Sequence, residues 1–239
     1  MKVIDWGDSM HNALVSEVNE SGIAPVMVQA DKGCVLQYLI SGIVHDMNNP
    51  LNLIMLSADV LESENQNSIE QDRLGSLVST INKGTDKING LISVLREFNN
   101  ADDREDCVDL NEYVRKALFL TDYFLRCSTG QVEVNIDDSV PVNWGKASLF
   151  HMIASVILKT CMTVEREKQK FRITTDKESR YLTVEYGLLD RDEFELRDRT
   201  DIFDRDNGWW AVRCLARSFG ADLHFRLTEG TRAVTTVCF

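Results

Sequence analysis

Residues 41–62 read SGIVHDMNNPLNLIMLSADVLE, and the reading of this stretch decides the fold. Its apolar positions belong to a series that sets in after Gly33: Leu36, Ile40, Ile43, Met47, Leu51, Ile54, Ala58 and Leu61. Steps of three and four trace one side of an amphipathic helix about nine turns long. The polar stretch SENQNS (63–68) is turn-like. A second series follows at Leu74, Leu77, Ile81, Gly84, Ile88, Leu91, Leu95 and Phe98. Two long helices joined by a short polar turn predict an antiparallel helical hairpin over residues 33–99. A lone hairpin cannot cover its own stripe, so a homodimer through residues 33–99, a dimeric four-helix bundle, is expected. The alternative is that the hairpin packs on the rest of its own chain.

Within this stretch His45 lies between Ile43 and Met47 of the series, which at about 100° per residue turns it away from the bundle core. An exposed imidazole on a rigid helix suits phosphoryl acceptance, because imidazole titrates near neutrality and keeps one nitrogen free. Asp46 is placed to accept a hydrogen bond from the other ring nitrogen and fix the tautomer. Asn49, one turn on, shares a face with His45 and is suited to orienting a water or a phosphoryl oxygen. Pro50 removes a helical hydrogen bond and predicts a bend just past His45.

On the N-terminal side, residues 1–31 hold Gly22 and Pro25 as helix breakers and predict only a short lead-in segment. On the C-terminal side, NNADDRED (99–106) reads as an acidic linker to a second domain over 107–239. That domain is expected to contain a helix over 109–127 capped by Asp109, a strand at QVEVNI (131–136) and a helix from Lys146 to Val164. Paired strands follow at FRITTD (171–176) and YLTVEYGLL (181–189), then a helix over Trp209–Phe219 and closing strands ADLHFRL and AVTTVCF. Helices on one face of a mainly antiparallel sheet make the fold class α+β, a hairpin followed by an α/β sandwich.

Composition bounds the function. The chain has 239 residues and a net charge of −12, so a nucleic-acid surface is excluded as its main business. The six cysteines form no C-x-x-C pair, so no zinc site or disulfide framework is implied, and reduced thiols fit a cytoplasmic location. No apolar run approaches the roughly 20 residues of a membrane span, and the first residues lack a signal pattern. His11, His151 and His224 have no metal-like spacing and read as structural. Trp209 and Trp210 read as core, and DRDEFELRDRTDIFDRD (190–206) as a solvated loop.

The segment 41–62 resembles the phosphoacceptor box of the dimerisation and histidine-phosphotransfer domain of bacterial sensor histidine kinases, and residues 107–239 resemble in layout the ATP-binding domain of the same kinases. The resemblance implies that His45 is the phosphorylated histidine, Asp46 its acid–base partner, and Asn49 an aid to dephosphorylation of a partner's phosphoaspartate. It also implies a Mg²⁺-holding asparagine and two glycine-rich turns, and here the chain departs from the family. Lys159 stands where the asparagine is expected, with Ser155 one turn earlier. The adenine turn falls at Glu185-Tyr186-Gly187-Leu188-Leu189, with Leu189 in the place of a glycine, and the second turn at Asp206-Asn207-Gly208-Trp209-Trp210. Between Arg191 and Asn207 eleven of seventeen residues are charged and none is glycine, so no nucleotide lid is evident.

These departures point to a histidine phosphotransferase of a two-component phosphorelay, similar to the dimeric histidine phosphotransferases. It would have no cofactor or metal of its own, and would exchange a phosphoryl group with a response-regulator receiver domain that carries the Mg²⁺. A hybrid histidine kinase is a further partner of such a relay. The rivals are an ATP-dependent sensor kinase with a divergent pocket and a non-catalytic pseudokinase that binds a kinase or a response regulator.

Overall fold

The structure is a computed structural model, which describes residues 23–63, 70–100, 104–128, 131–136, 139–163, 170–187, 207–228 and 232–239. Helix α1 runs from Ile23 to Ser63 and α2 from Gln71 to Phe98, packed together as the expected hairpin. The helix begins ten residues before the expected Gly33. Pro25 lies in its first turn, where the missing N–H has no intrahelical partner to lose, so it starts the helix rather than breaking it. The rest of the lead-in, residues 1–22, and residues 64–68 of the polar turn lie outside the described residues. Pro50 is accommodated within α1, buried against α2. A Cβ on Gly84 of α2 would come within 2.9 Å of Ile54 and 3.2 Å of the Pro50 carbonyl, so glycine permits this close crossing.

The second domain begins earlier than the linker reading allowed. Strand β1 (Glu105–Asp109) pairs antiparallel with β3 (Pro141–Gly145), which lies between the expected strand at 131–136 and the expected helix from Lys146. Asp109 caps α3 (Leu110–Ser128) as expected: its Oδ1 accepts from the N–H of Asn111 at 3.1 Å and of Val140 at 3.0 Å. Strand β2 (Gln131–Asn135), α4 (Lys146–Thr163), β4 (Lys170–Asp176), β5 (Tyr181–Gly187), α5 (Asn207–Ser218), β6 (Asp222–Thr228) and β7 (Arg232–Cys238) complete it. The main sheet has the order β2-β4-β5-β7-β6. It is mixed rather than all antiparallel, because β2 pairs parallel with β4. Helix α5 ends at Gly220, whose φ of +76° suits the bonds from Gly220 N–H to Arg217 O and from Ala221 N–H to Ala216 O.

Phe171, Ile173, Leu182, Val184 and Val237 turn one sheet face inward to the helices, and Trp144 and Trp209 are buried with them. The side chain of Trp210 lies outside the described residues. Helix α1 lies against α3 and α5, and its Val35, Leu39 and Ile43, with Leu91 and Phe98 of α2, belong to the same buried cluster as the sandwich core. The hairpin therefore does pack on its own chain. Its buried stripe is Asp31, Val35, Leu39, Ile43, Asp46 and Pro50. Ile40 and Leu51, which belong to the apolar series read from the sequence, remain exposed. Among the described residues no helix is long and apolar enough to cross a membrane.

A continuous core predicts one cooperative transition. Leu39→Ala, at a fully buried position of α1, is expected to cost about 3 kcal/mol. Denaturant melts followed by tryptophan emission of the sandwich and by helical circular dichroism should shift together. Divergence of the two probes would mean that hairpin and sandwich unfold separately.

Candidate phosphoacceptor site

Helix α1 supplies His45, Asp46 and Asn49 from consecutive turns, and α3 brings Tyr123, Phe124 and Arg126 against them. Gly42 makes the approach possible. A Cβ there would stand 2.7 Å from the Phe124 ring and 3.2 Å from Tyr123. With α3 this close, the Tyr123 ring lies 4.5 Å from the His45 ring, centre to centre, at a tilt of 44°. His45 still keeps 53% of its side chain exposed, so one side of the imidazole is covered and the other open. The outward orientation read from the sequence is thus half right: His45 leaves the hairpin core but meets the sandwich.

Asp46 is buried, with 6% of its side chain accessible. Its Oδ1 lies 3.5 Å from His45 Nδ1, within ion-pair reach and too long for a formed hydrogen bond. The same oxygen accepts a hydrogen bond from Arg126 Nη2. Arg126 Nε in turn meets Asp122 Oδ2 at 3.1 Å. The hydrogen bond to Asp46, against a smaller desolvation cost and with help from Asp122, raises the guanidinium above its already high ordinary pKa, so Arg126 is a fixed cation. This arrangement leaves Nε2 of His45 for an incoming group. Asn49 is exposed four residues after His45, on the expected face.

The other sequence-derived positions are not gathered into one pocket. Ser155 and Lys159 lie on the α4 face turned toward α1, where they meet Asp31. Lys159 Nζ is 2.8 Å, His151 Nε2 3.1 Å and Ser155 Oγ 3.4 Å from this buried carboxylate. Burial alone would raise the Asp31 pKa, but the hydrogen bonds from His151 and Lys159 and their charges outweigh it and hold the carboxyl below its ordinary value. Glu185 is elsewhere: Arg172 bridges it at 3.3 Å and Glu133 at 3.1 Å across the register β2-β4-β5. Its neighbours Leu182 and Val184 are buried toward the helices, so Glu185 belongs to the opposite sheet face, away from Ser155 and Lys159. Gly187 ends β5 and Gly208 lies in the first turn of α5. Leu188, Leu189, Asp206 and the charged stretch between Arg191 and Asn207 lie outside the described residues.

Sequence reasoning missed Asp31, Gly42, Tyr123 and Arg126. A carboxylate at Asp31, one turn before Val35 and Leu39, was a signal that a cation had to meet it. Nothing local distinguishes Arg126 from the other arginines, because its partner lies 80 positions away.

Residues 35–104 match the His Kinase A (phospho-acceptor) domain family. Over 157 residues the chain is 26% identical to the signal transduction histidine-protein kinase AtoS of Escherichia coli (strain K12), which covers 62% of this chain and 24% of that protein. The chain thus spans about a quarter of the length of this curated relative. Among solved structures, the Acinetobacter baumannii histidine kinase AdeS matches with 12% identity, 81% of this chain, 95% of that chain and a TM-score of 0.41. A bacterial phosphotransferase matches with 11% identity, 87% and 96% coverage and a TM-score of 0.42.

The Asp31 cluster predicts a pH signature. A depressed carboxyl pKa contributes stability that is present above the ordinary value near 3.8 and lost as pH falls through the folded value. Asp31→Asn leaves the Lys159 ammonium facing a neutral amide and is expected to cost about 3 kcal/mol at neutral pH. Thermal melts of both proteins from neutrality to about pH 3 should show the gap closing at the acid end. A constant gap would mean that Asp31 contributes shape and not charge.

Proposed function

Starting from a chain that carries a His Kinase A phospho-acceptor domain and is a two-component histidine kinase-like protein, we propose that it is a histidine phosphotransferase, exchanging phosphoryl groups between His45 and the aspartate of a response-regulator receiver without a nucleotide of its own. One observation carries this reading. The α4 face where the family resemblance expects the magnesium asparagine is covered by α1, with the Asp31 carboxylate against Lys159 and Ser155. An ammonium 2.8 Å from the Asp31 carboxylate is a poor donor set for Mg²⁺, and a fixed carboxylate repels a triphosphate.

The step at His45 needs little covalent machinery. The Nε2 lone pair attacks the phosphorus of the receiver's acyl phosphate. The N–P bond forms as the acyl O–P bond breaks, and the receiver carboxylate leaves with that electron pair. The proton stays on Nδ1, where Asp46 offsets the positive charge that the ring acquires. The Mg²⁺ of such a transfer belongs to the receiver. Tyr123 holds the imidazole plane, so positioning supplies much of the rate. Asn49, on the same face, is suited to orienting a phosphoryl oxygen or a water.

The hairpin also supports dimerisation, as the phospho-acceptor family implies. Ile40, Val44, Leu51 and Met55 recur at i, i+4, i+11 and i+15 of α1, and all are exposed, as are Leu74 and Val78 of α2. A second copy laid along this stripe completes a four-helix bundle. Leu51→Glu combined with Met55→Glu should convert a dimer into a folded monomer by light scattering. An unchanged mass would move the dimer contact elsewhere.

A second reading, an ATP-dependent kinase, is favoured by the alignment with a histidine-protein kinase over 62% of this chain. Radiolabel separates the readings. With a phosphorylated receiver as donor, the protein should acquire acid-labile label that His45→Ala abolishes. Label from Mg²⁺–ATP alone would establish the kinase. No label by either route would favour a binding protein that only sequesters its partner.

A further inference from the structure

We infer that Arg126 is a positioning residue of the phosphoryl site, supplied by the sandwich domain: it neutralises and fixes Asp46, the carboxylate that faces Nδ1 of the accepting imidazole. The inference rests on the phosphotransfer reading above.

Three observations support it. The first is shared geometry. Asp46 Oδ1 is 3.5 Å from His45 Nδ1 and accepts from Arg126 Nη2, so imidazole and guanidinium are neighbours around one oxygen. The second is preorganisation. Asp46 and Asp122, on different helices, hold Nη2 and Nε of the same guanidinium, which fixes the plane of the fork before any substrate arrives. Half of the Arg126 side chain and about half of the His45 side chain remain exposed.

The third is charge. Among the described residues, two carboxylates surround His45, Asp46 directly and Asp122 through Arg126, in a chain of net charge −12. A phosphoryl donor is itself an anion. Without Arg126 it would approach two uncompensated negative charges, one of them buried. With Arg126 the local sum changes from −2 to −1, and Asp46, the carboxylate next to the imidazole, is neutralised directly. Arginine suits this task better than lysine, since its fork serves two carboxylates in fixed directions and still has N–H groups to offer.

Arg126 holds Asp46 with its oxygen 3.5 Å from His45 Nδ1, where the carboxylate offsets the charge the ring would acquire on phosphorylation. Arg126 thus acts on His45 through Asp46.

The test uses the full chain and phosphoramidate, a small donor that needs no receiver. The P–N bond of the donor breaks as the new N–P bond forms at Nε2, and ammonia leaves with the electron pair. Phosphorylation of His45 is followed by phosphorus NMR at saturating and limiting donor, in the unsubstituted protein, Arg126→Gln, Arg126→Lys and His45→Ala. Thermal midpoints show that each variant is folded. Arg126→Gln keeps much of the shape and removes the charge. It is expected to lower the maximal rate about tenfold, with Arg126→Lys recovering most of it. If Arg126→Gln is destabilised, the comparison of Arg126→Lys with the unsubstituted protein carries the result, with a rate within about threefold expected. Equal rates in Arg126→Gln, or faster transfer, overturn this inference alone and leave the phosphotransfer reading standing. Absence of label on His45 in the unsubstituted protein overturns both.

Discussion

The burial of one stripe of α1 against the sandwich is the constraint on which the rest of the structure depends. The stripe contains two carboxylates, Asp31 and Asp46, separated by 15 residues or roughly 22 Å of helix. Each is met by a cation from a different sandwich helix, Lys159 of α4 and Arg126 of α3. A buried carboxylate without a partner costs several kcal/mol. Sliding α1 by one turn, about 5.4 Å, would orphan both at once while leaving the leucine and valine packing nearly as good. The apolar contacts between them supply adhesion, and the two ion pairs supply register. The position of His45 relative to α3 follows from that register.

The same pairs divide the chemistry of the molecule. At one end of the stripe, the α4 face where the family resemblance would place a metal-binding asparagine is occupied by a carboxylate of the chain itself, with His151, Ser155 and Lys159 all engaged by it. At the other end, the carboxylate beside His45 is neutralised rather than displayed. If this strongly acidic chain handles a phosphoryl group, as proposed, it needs such local cancellation, because its overall field opposes an anionic partner. The cancellation at Asp46 is short-range, so it survives physiological ionic strength, whereas the long-range repulsion is screened.

Much of the fold was legible because it rests on periodicity. The three- and four-residue steps gave both hairpin helices, and the alternation in FRITTD, YLTVEYG and AVTTVCF gave β4, β5 and β7, which lie side by side in the sheet. What failed was local. Pro25 was read as a breaker where a first-turn position tolerates it, and β1 and β3 were missed because each is only five residues long and carries polar residues at Asp106 and Asn143. His45, Asp46 and Asn49 were legible as a motif on one helix. Tyr123 and Arg126 were not, since they reach His45 and Asp46 only through tertiary packing that Gly42 allows. The surroundings of Glu185 were not legible either: its strand was found, but its pairing with Arg172 depends on the register of neighbouring strands.

Helix geometry explains why one histidine can serve this site at all. Successive residues of a helix point about 100° apart. Val44 looks out along the exposed apolar stripe of Ile40, Leu51 and Met55, and Asp46 looks into the buried stripe. His45 therefore looks in a third direction, about 100° from each. A helix that served only the sandwich would have no need of the apolar stripe. One that served only a second copy would bury no carboxylates. Between the exposed apolar stripe and the buried one a single sector of the α1 circumference remains, and His45 occupies it with Tyr123 at one margin. If His45 exchanges a phosphoryl group with a receiver, as proposed, the receiver has to approach within that sector, on the face that His45 shares with Asn49.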